Sequence, residues 1–385
     1  MFSSNNKISV RQLQVFIILN GIAVALTLLP RFLANTVGNF GFLMILISGI
    51  LVAFFVSAVL SVFNRVGERD FKGVIEYAFG EKVGKVLCFI ISLKMVISGG
   101  LMLRILCEVI RETALFKTHI SITALIIIGL CVYGLKGGVE GFSRLCEVIF
   151  ITSLVPILIV FISAIKDTDY TNILPIFDFR DSSLLYGFIV SLSVFFGVEN
   201  VFFQYSYVNR KRGTSSVFLA ILVLSICASV SYFFTVTRFG HITAGLRTFP
   251  TITMLDTIEI AGAFIERQFV FVIWAVISSS FVFINSSLVF SQGVKRDLKS
   301  TVFFSVILFA TCLLPTSLSQ ALSWFFGVNI FGGVFSVIIL PLILCGYILL
   351  KGGRESWEKF LYCVYFAVFF FLAVWIKLKQ RIGAM

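Results

Sequence analysis

Within a long apolar stretch, Phe195-Phe196-Gly197-Val198-Glu199-Asn200 sets a helix-weakening glycine two positions before an ionisable carboxylate. Both are costly in hydrocarbon, so side by side they mark a functional site. The Glu199 carboxylate has two uses there: to face the ammonium of a ligand, or to accept from donors freed where the helix breaks. Lys94 lies about 8 residues into another apolar stretch, roughly 12 Å deep at the helical rise. Such a lysine acts as a fixed cation in place of a coupling ion, pairs with Glu199 or Glu108, or snorkels to the interface. Arg104 and Glu108 share a helix face at i, i+4, with Arg111 and Glu112 just beyond, the spacing of an ion-pair cluster. Ser98-Gly99-Gly100 and Ser278-Ser279-Ser280 are small, mildly polar patches that either line a pocket or let helices approach closely. Catalytic chemistry is not indicated. His119 and His241 have no partner at a recognisable spacing, and no Ser/His/Asp set, paired carboxylates or phosphate-binding glycine loop is present. The eight cysteines show neither a CxxC nor a Cys/His spacing and read as small buried hydrophobes. An enzyme, a metal site and a cofactor are therefore not expected.

The elements that must position these residues are membrane spans. Of 385 residues, 59% are apolar and 13% charged, and the mean hydropathy is +1.04. Apolar runs long enough to cross a bilayer are expected at about 13–31, 40–63, 86–110, 119–135, 145–165, 184–206, 215–238, 268–290, 301–319 and 328–350. The net charge of +12 sits in short loops between them, which topology explains and nucleic-acid binding does not. With the N-terminus in the cytoplasm, Arg65, Arg69, Lys72, Arg210, Lys211, Arg212, Lys295, Arg296 and Lys299 all fall inside, as the positive-inside rule requires. The N-terminus runs directly into a full-length span and has no small-residue cleavage site, so no removable signal is expected. Residues 1–355 read as a single permease-like domain. Beyond it, 356–385 holds a further apolar stretch at about 359–376 and a basic tail; the stretch is an eleventh span flanked by Trp357 and Trp375, or a re-entrant or interfacial helix. The outer loop 166–183 carries Asp167, Asp169, Asp178 and Asp181, and 239–267 holds an amphipathic candidate, Thr251 to Gly262. These loops either join helices or gate the outer side.

In the first span, Asn20-Gly21-Ile22-Ala23-Val24-Ala25 leads to Pro30, a run of small residues before a helix breaker. The sixth span has its own weak point at Gly197, five helices later. Corresponding interruptions in two halves of five are the trace of an inverted repeat with its site at the bilayer midplane, where half-helix N-termini suit a ligand carboxylate. The expected fold class is thus all-α and polytopic: a ten-helix, five-plus-five inverted repeat of the LeuT-like type, with helices 1 and 6 discontinuous.

Four ordered motifs carry a resemblance. Asn20 to Pro30-Arg31, Gly141-Phe142-Ser143-Arg144-Leu145, Phe196-Gly197-Val198-Glu199, and Phe264-Ile265-Glu266-Arg267 followed by Trp274 resemble those of the spore germination permeases. These are the B subunits of GerA-type germinant receptors, in the amino acid–polyamine–organocation transporter superfamily. The resemblance covers about residues 8–350 and implies the inner membrane of a dormant spore, a small germinant such as an amino acid, and assembly with an A subunit and a lipoprotein C subunit. In similar transporters the first, third, sixth and eighth helices enclose the ligand. That places Gly21, Ala23, Ala25, Ser98, Gly99, Phe196, Gly197, Glu199 and Ser280 as candidate ligand-binding residues, and Lys94, Arg104 and Glu108 as intramembrane charges. The chain departs from the family where relatives usually carry glycines and it has Ala23 and Ala25, which narrows the gap or lessens unwinding. Sensing with partner subunits, amino-acid/proton transport, and a scaffolding role are the functions the residues leave open.

Overall fold

The computed structural model describes residues 7–66, 70–165, 168–175, 184–208, 213–256, 265–294 and 298–333. Among them the only regular structure is helical, apart from one isolated parallel bridge between Ile8 and Val208. The first span is α1 (Val10–Thr27) followed by α2 (Leu29–Thr36). Ser9 starts it with a reciprocal cap: its hydroxyl accepts from the Gln12 N–H, and the Gln12 side chain accepts from the Ser9 N–H. The chain continues through α3 (Gly41–Val66), a short α4 (Phe71–Phe79), α5 (Glu81–Thr113), α6 (Ile120–Gly134) and α7 (Gly138–Ala164). The sixth span is α8 (Leu184–Ser191), a 3-10 turn at Leu192–Phe195, and α9 (Asn200–Tyr205). Then follow α10 (Gly213–Leu246), α11 (Pro250–Asp256), α12 (Ile265–Val294), α13 (Leu298–Leu313) and α14 (Leu318–Gly333).

Seven of these stretches are long and apolar enough to cross a membrane. The central ones are also the most buried: 78% of the first span's apolar window and 83% of the sixth's lie inside the protein, against 33% for the stretch beginning at Ile120. Helices that are apolar all round can only be interior ones or lipid-facing ones, and here the two interrupted spans are interior. α1 packs on α10, α12 and α7; α5 packs on α12, α13 and α14; α3 packs on α10. The result is the five-plus-five inverted-repeat architecture, with the first and sixth spans at its centre.

Three boundaries differ from the sequence reading. The first-span interruption lies at Leu28, after Thr27, and the helix runs unbroken through Asn20–Ala25. Pro30 is the cause, because it has no N–H for the Leu26 carbonyl and its ring crowds that turn. Ala23 and Ala25 are strong helix formers and keep the preceding turns wound. α10 extends to Leu246 across a kink at Gly240, whose φ of 73° only glycine adopts readily. α14 begins at Leu318, ten residues before the expected tenth span. The C-terminal stretch at 359–376, the rest of the tenth span beyond Gly333, the 264–267 motif's side chains, and Asp167, Asp178 and Asp181 lie outside the described residues.

Polar contacts tie the helices together at both ends of the bundle. At the end that holds the start of α1 the Ile8 N–H donates to the Tyr207 carbonyl at 2.8 Å. Arg11 and Gln12 both reach Glu147 of α7, at 3.1 Å each, and the Tyr205 hydroxyl meets Asn64 of α3 at 3.1 Å. At the other end α11 packs against α1, α2 and α12, and Asn35 of α2 donates to the Gly245 carbonyl at 2.9 Å. Asp169 is structural here. It caps the 3-10 turn Tyr170–Ile173, and the Thr171 hydroxyl and N–H hold its carboxyl below the usual carboxylate range.

Candidate functional site

The sixth span comes apart where glycine permits it. Phe196 is extended (φ −64°, ψ 130°) and Gly197 has φ 93°, a conformation that a residue with a Cβ enters only with strain. Before and after this point the turns close by i→i+3 bonds: Phe196 N–H to Ser193, Val198 to Phe195, Asn200 to Gly197 and Val201 to Val198. The break exposes the Gly197 N–H, which donates to Glu199 Oε2 at 3.2 Å. Glu199 Oε1 accepts from Lys94 Nζ of α5 at 2.6 Å. The side chains of Lys94 and Glu199 are 10% and 2% exposed, so the pair is buried. Of the three roles open to Lys94, pairing with Glu199 is the one the geometry shows. Removing one member of such a pair leaves an uncompensated charge and costs roughly 3–5 kcal/mol.

The first span meets this break through a residue that sequence reasoning passed over. Asn20 is 1% exposed, and a Cβ placed on Gly197 would overlap its Nδ2 and come within 3.1 Å of the Phe283 ring. Glycine is therefore required at 197 for two reasons, backbone conformation and close approach. Among the described residues, neither the nitrogen nor the oxygen of the Asn20 carboxamide has a hydrogen-bond partner. The Ser193 hydroxyl, the Asn200 side-chain oxygen (both on the sixth span) and the Ser280 hydroxyl of α12, one turn before Phe283, are also buried and without partners among the described residues. The Asn200 amide donates to Ser286 of α12 at 2.9 Å, which fixes that face of α12 towards α9. Buried polar groups in native proteins are almost always bonded, which sets these atoms apart from the rest of the interior.

Around them stands an aromatic wall. Phe196 and Phe283 both pack on Phe325 of α14, at ring-centroid distances of 6.4 and 6.1 Å. Phe325 meets Phe326 at 6.1 Å, and Phe326 meets Phe32 of α2 at 4.2 Å. Ser98 of α5, one turn beyond Lys94, donates to Asn329 of α14 at 2.9 Å, and the Asn329 amide returns to the Phe325 carbonyl at 2.9 Å.

The remaining candidates divide by what fills their open sides. Phe196, Gly197, Glu199, Lys94 and Ser98 gather at the break. Ala23 and Ala25 lie a turn further along the wound part of α1, and the Ala23 carbonyl accepts from the Thr27 hydroxyl at 2.6 Å. Gly21 is occupied by Leu224 of α10, and Gly99 by the Ser287 hydroxyl of α12. Ser278 faces α7, where it meets Ser153 at 2.8 Å. Arg104 and Glu108 form their pair at 2.9 Å, with Arg111 on the second carboxylate oxygen at 2.7 Å. They sit 10 and 14 positions along α5 from Lys94, about 15 and 21 Å at the helical rise, and so belong to a separate cluster. Trp274 is 48% exposed and points away from the interior. No group of three or more potential metal ligands occurs among the described residues.

The profile of the family described as "Spore germination protein" matches residues 7–323. The chain is a spore germination family protein. It is 24% identical over 268 residues to spore germination protein B2 of Bacillus subtilis (strain 168), covering 69% of this chain and 73% of that one. It is likewise 24% identical over 348 residues to spore germination protein A2 of the same organism, covering 86% and 92%. The fold is similar to that of MhsT, solved in complex with L-phenylalanine: the TM-score is 0.69 at 12% identity, over 95% of this chain and 98% of that one. A likeness at that identity establishes the LeuT-like fold alone. The spore germination family is one of permease-like membrane proteins.

Proposed function

We propose that this spore germination protein is the membrane subunit of a germinant receptor. It binds a compact polar nutrient, an amino acid in the first instance, where α1 meets the break in the sixth span. It passes the resulting closure to an A-type subunit and a lipoprotein C subunit in the spore inner membrane, with its own N-terminus in the cytoplasm. The observation that carries this reading is the Asn20 carboxamide, buried, without a partner among the described residues and set against Gly197. Leaving such a group unsatisfied costs on the order of 1–3 kcal/mol, a cost that a ligand with a donor and an acceptor removes on binding. Only a difference in affinity between two states converts binding into a signal, and the interrupted spans are the natural moving parts of such a bundle.

The test is a nutrient panel applied to spores in which this protein is the sole functional B-type subunit. Germination by at least one compact nutrient, lost on Asn20→Ala with the subunit still present in the membrane, is expected. Germination by every nutrient at wild-type concentrations in that variant overturns the reading. Proton-driven uptake of a labelled amino acid by the purified protein in liposomes, with no requirement for partner subunits, would replace sensing by transport.

A further inference from the structure

We propose that Lys94 and Glu199 are the two poles of a zwitterion reader, closed on each other in the free protein and opened by an α-amino acid. The inference rests on the ligand-binding role assigned above and names the two side chains that read the ligand's opposite charges. Three observations meet at one place. The pair at 2.6 Å is buried between α5 and the broken sixth span. The Lys94 ammonium carries three N–H donors, and among the described residues it reaches only Glu199 and, at 3.8 Å, the thioether of Met95. Beside the pair, on Gly197, lies the Asn20 carboxamide, which has no partner among the described residues.

A buried ammonium with one strong acceptor is under-satisfied, and its ion pair repays desolvation only when further hydrogen bonds complete both ions. A ligand carboxylate supplies those acceptors to Lys94. The same ligand's ammonium replaces the Lys94 nitrogen at Glu199, with the Asn20 oxygen as a further acceptor. Charge stays balanced throughout: two buried opposite charges receive two more, each facing its complement. A ligand with only one pole leaves an unmatched charge in the site, and an uncharged ligand has no means of parting the pair. The phenylalanine wall formed by Phe196, Phe283 and Phe325 then receives the apolar side chain.

The experiment measures binding by the full-length protein in lipid nanodiscs, comparing L-alanine with ethylamine and propanoate, and L-valine with 2-methylpropylamine and 3-methylbutanoate. In the wild type, at least one amino acid should bind at least tenfold more tightly than either of its one-pole analogues. Lys94→Gln should abolish the advantage over the amine, and Glu199→Gln the advantage over the acid. A wild-type preference under threefold overturns the proposal without recourse to any variant. Well-folded variants that keep both preferences overturn it equally. Binding of a nucleoside or sugar with none of the amino acids overturns the zwitterion class and leaves the receptor reading standing; germination that is indifferent to Asn20→Ala removes the receptor reading itself.

Discussion

Asn20→Leu should separate stability from function, moving them in opposite directions. The carboxamide is 1% exposed, and both its ends lack partners among the described residues. A buried polar group without its hydrogen bonds costs about 1–3 kcal/mol, and replacement by an apolar side chain of similar shape removes that cost. Leucine shares asparagine's branched heavy-atom outline, though its two methyls are bulkier, and the space beside the side chain is bounded by the Gly197 backbone. The variant should therefore be more stable by roughly 1–3 kcal/mol, a factor of about 5 to 150 in the folded-to-unfolded ratio. Thermal unfolding of the purified protein in detergent, together with subunit abundance in spore membranes, reads the first quantity. Germinant concentration dependence in spores reads the second, and a loss of at least tenfold in sensitivity is expected. A variant that unfolds at a lower temperature while germinating normally would refute the reasoning on both counts, because it would mean that the carboxamide is bonded within the fold and idle in recognition.

Gly197→Ala adds a Cβ at a φ of 93°, against Asn20 and 3.1 Å from Phe283. Strain of about 1–3 kcal/mol and overpacking of about 1–3 kcal/mol should sharply lower both abundance and response; Gly129→Ala, where a Cβ meets nothing within 4 Å, serves as the neutral control. Gly100→Ala should force α5 from α13, since the new Cβ would lie 2.6 Å from the Leu308 backbone carbonyl; a cost of about 1–3 kcal/mol in the unfolding midpoint is expected, and an unchanged midpoint would contradict the contact. Arg104→Met strands Glu108 beside Arg111 alone, and a loss of roughly 3–5 kcal/mol is the upper range for breaking a buried pair; Arg104→Met with Glu108→Leu should recover most of it, measured as melting temperature in a double-mutant cycle.

The break in the sixth span was legible because its two determinants are chemical: a glycine and a carboxylate in hydrocarbon have few other reasons to adjoin. The break in the first span was legible as existing but was placed a turn early. Small size suggested that Asn20–Ala25 would unwind, yet alanine favours the helix, and Leu224 fills the open side of Gly21. The missing N–H of Pro30 was the better guide. Asn20 itself went unnoticed as a side chain. A neutral carboxamide barely disturbs a hydropathy profile, and whether it is partnered depends on residues 177 positions away at Gly197, which periodicity does not reveal. For the same reason Lys94 had three open roles in the sequence and one in three dimensions. Gly99 and Gly21 show the converse: glycine near a presumed pocket was read as lining, while Ser287 and Leu224 use it for close helix packing.

Magnitudes also indicate how a small ligand could drive so large a bundle. Shifting a two-state equilibrium from 1:99 to 99:1 takes a differential affinity of about 5.5 kcal/mol. A zwitterion that exchanges partners with the buried pair keeps every charge matched, so its net gain there stays below the roughly 3–5 kcal/mol that one unpaired buried charge would cost, and the pair supplies only part of this difference. The remainder has a visible source in the rings that link Phe196 to Phe325, Phe325 to Phe326 and Phe326 to Phe32, each such pair being worth about 0.5–1.5 kcal/mol beyond area burial. These contacts run from the sixth-span break through α14 to α2, the far half of the first span. α5 joins the same circuit at adjacent turns, through Lys94 to the break and through Ser98 to Asn329 of α14. A ligand that parts Lys94 from Glu199 therefore loosens α5 from the break at the position where the aromatic chain begins.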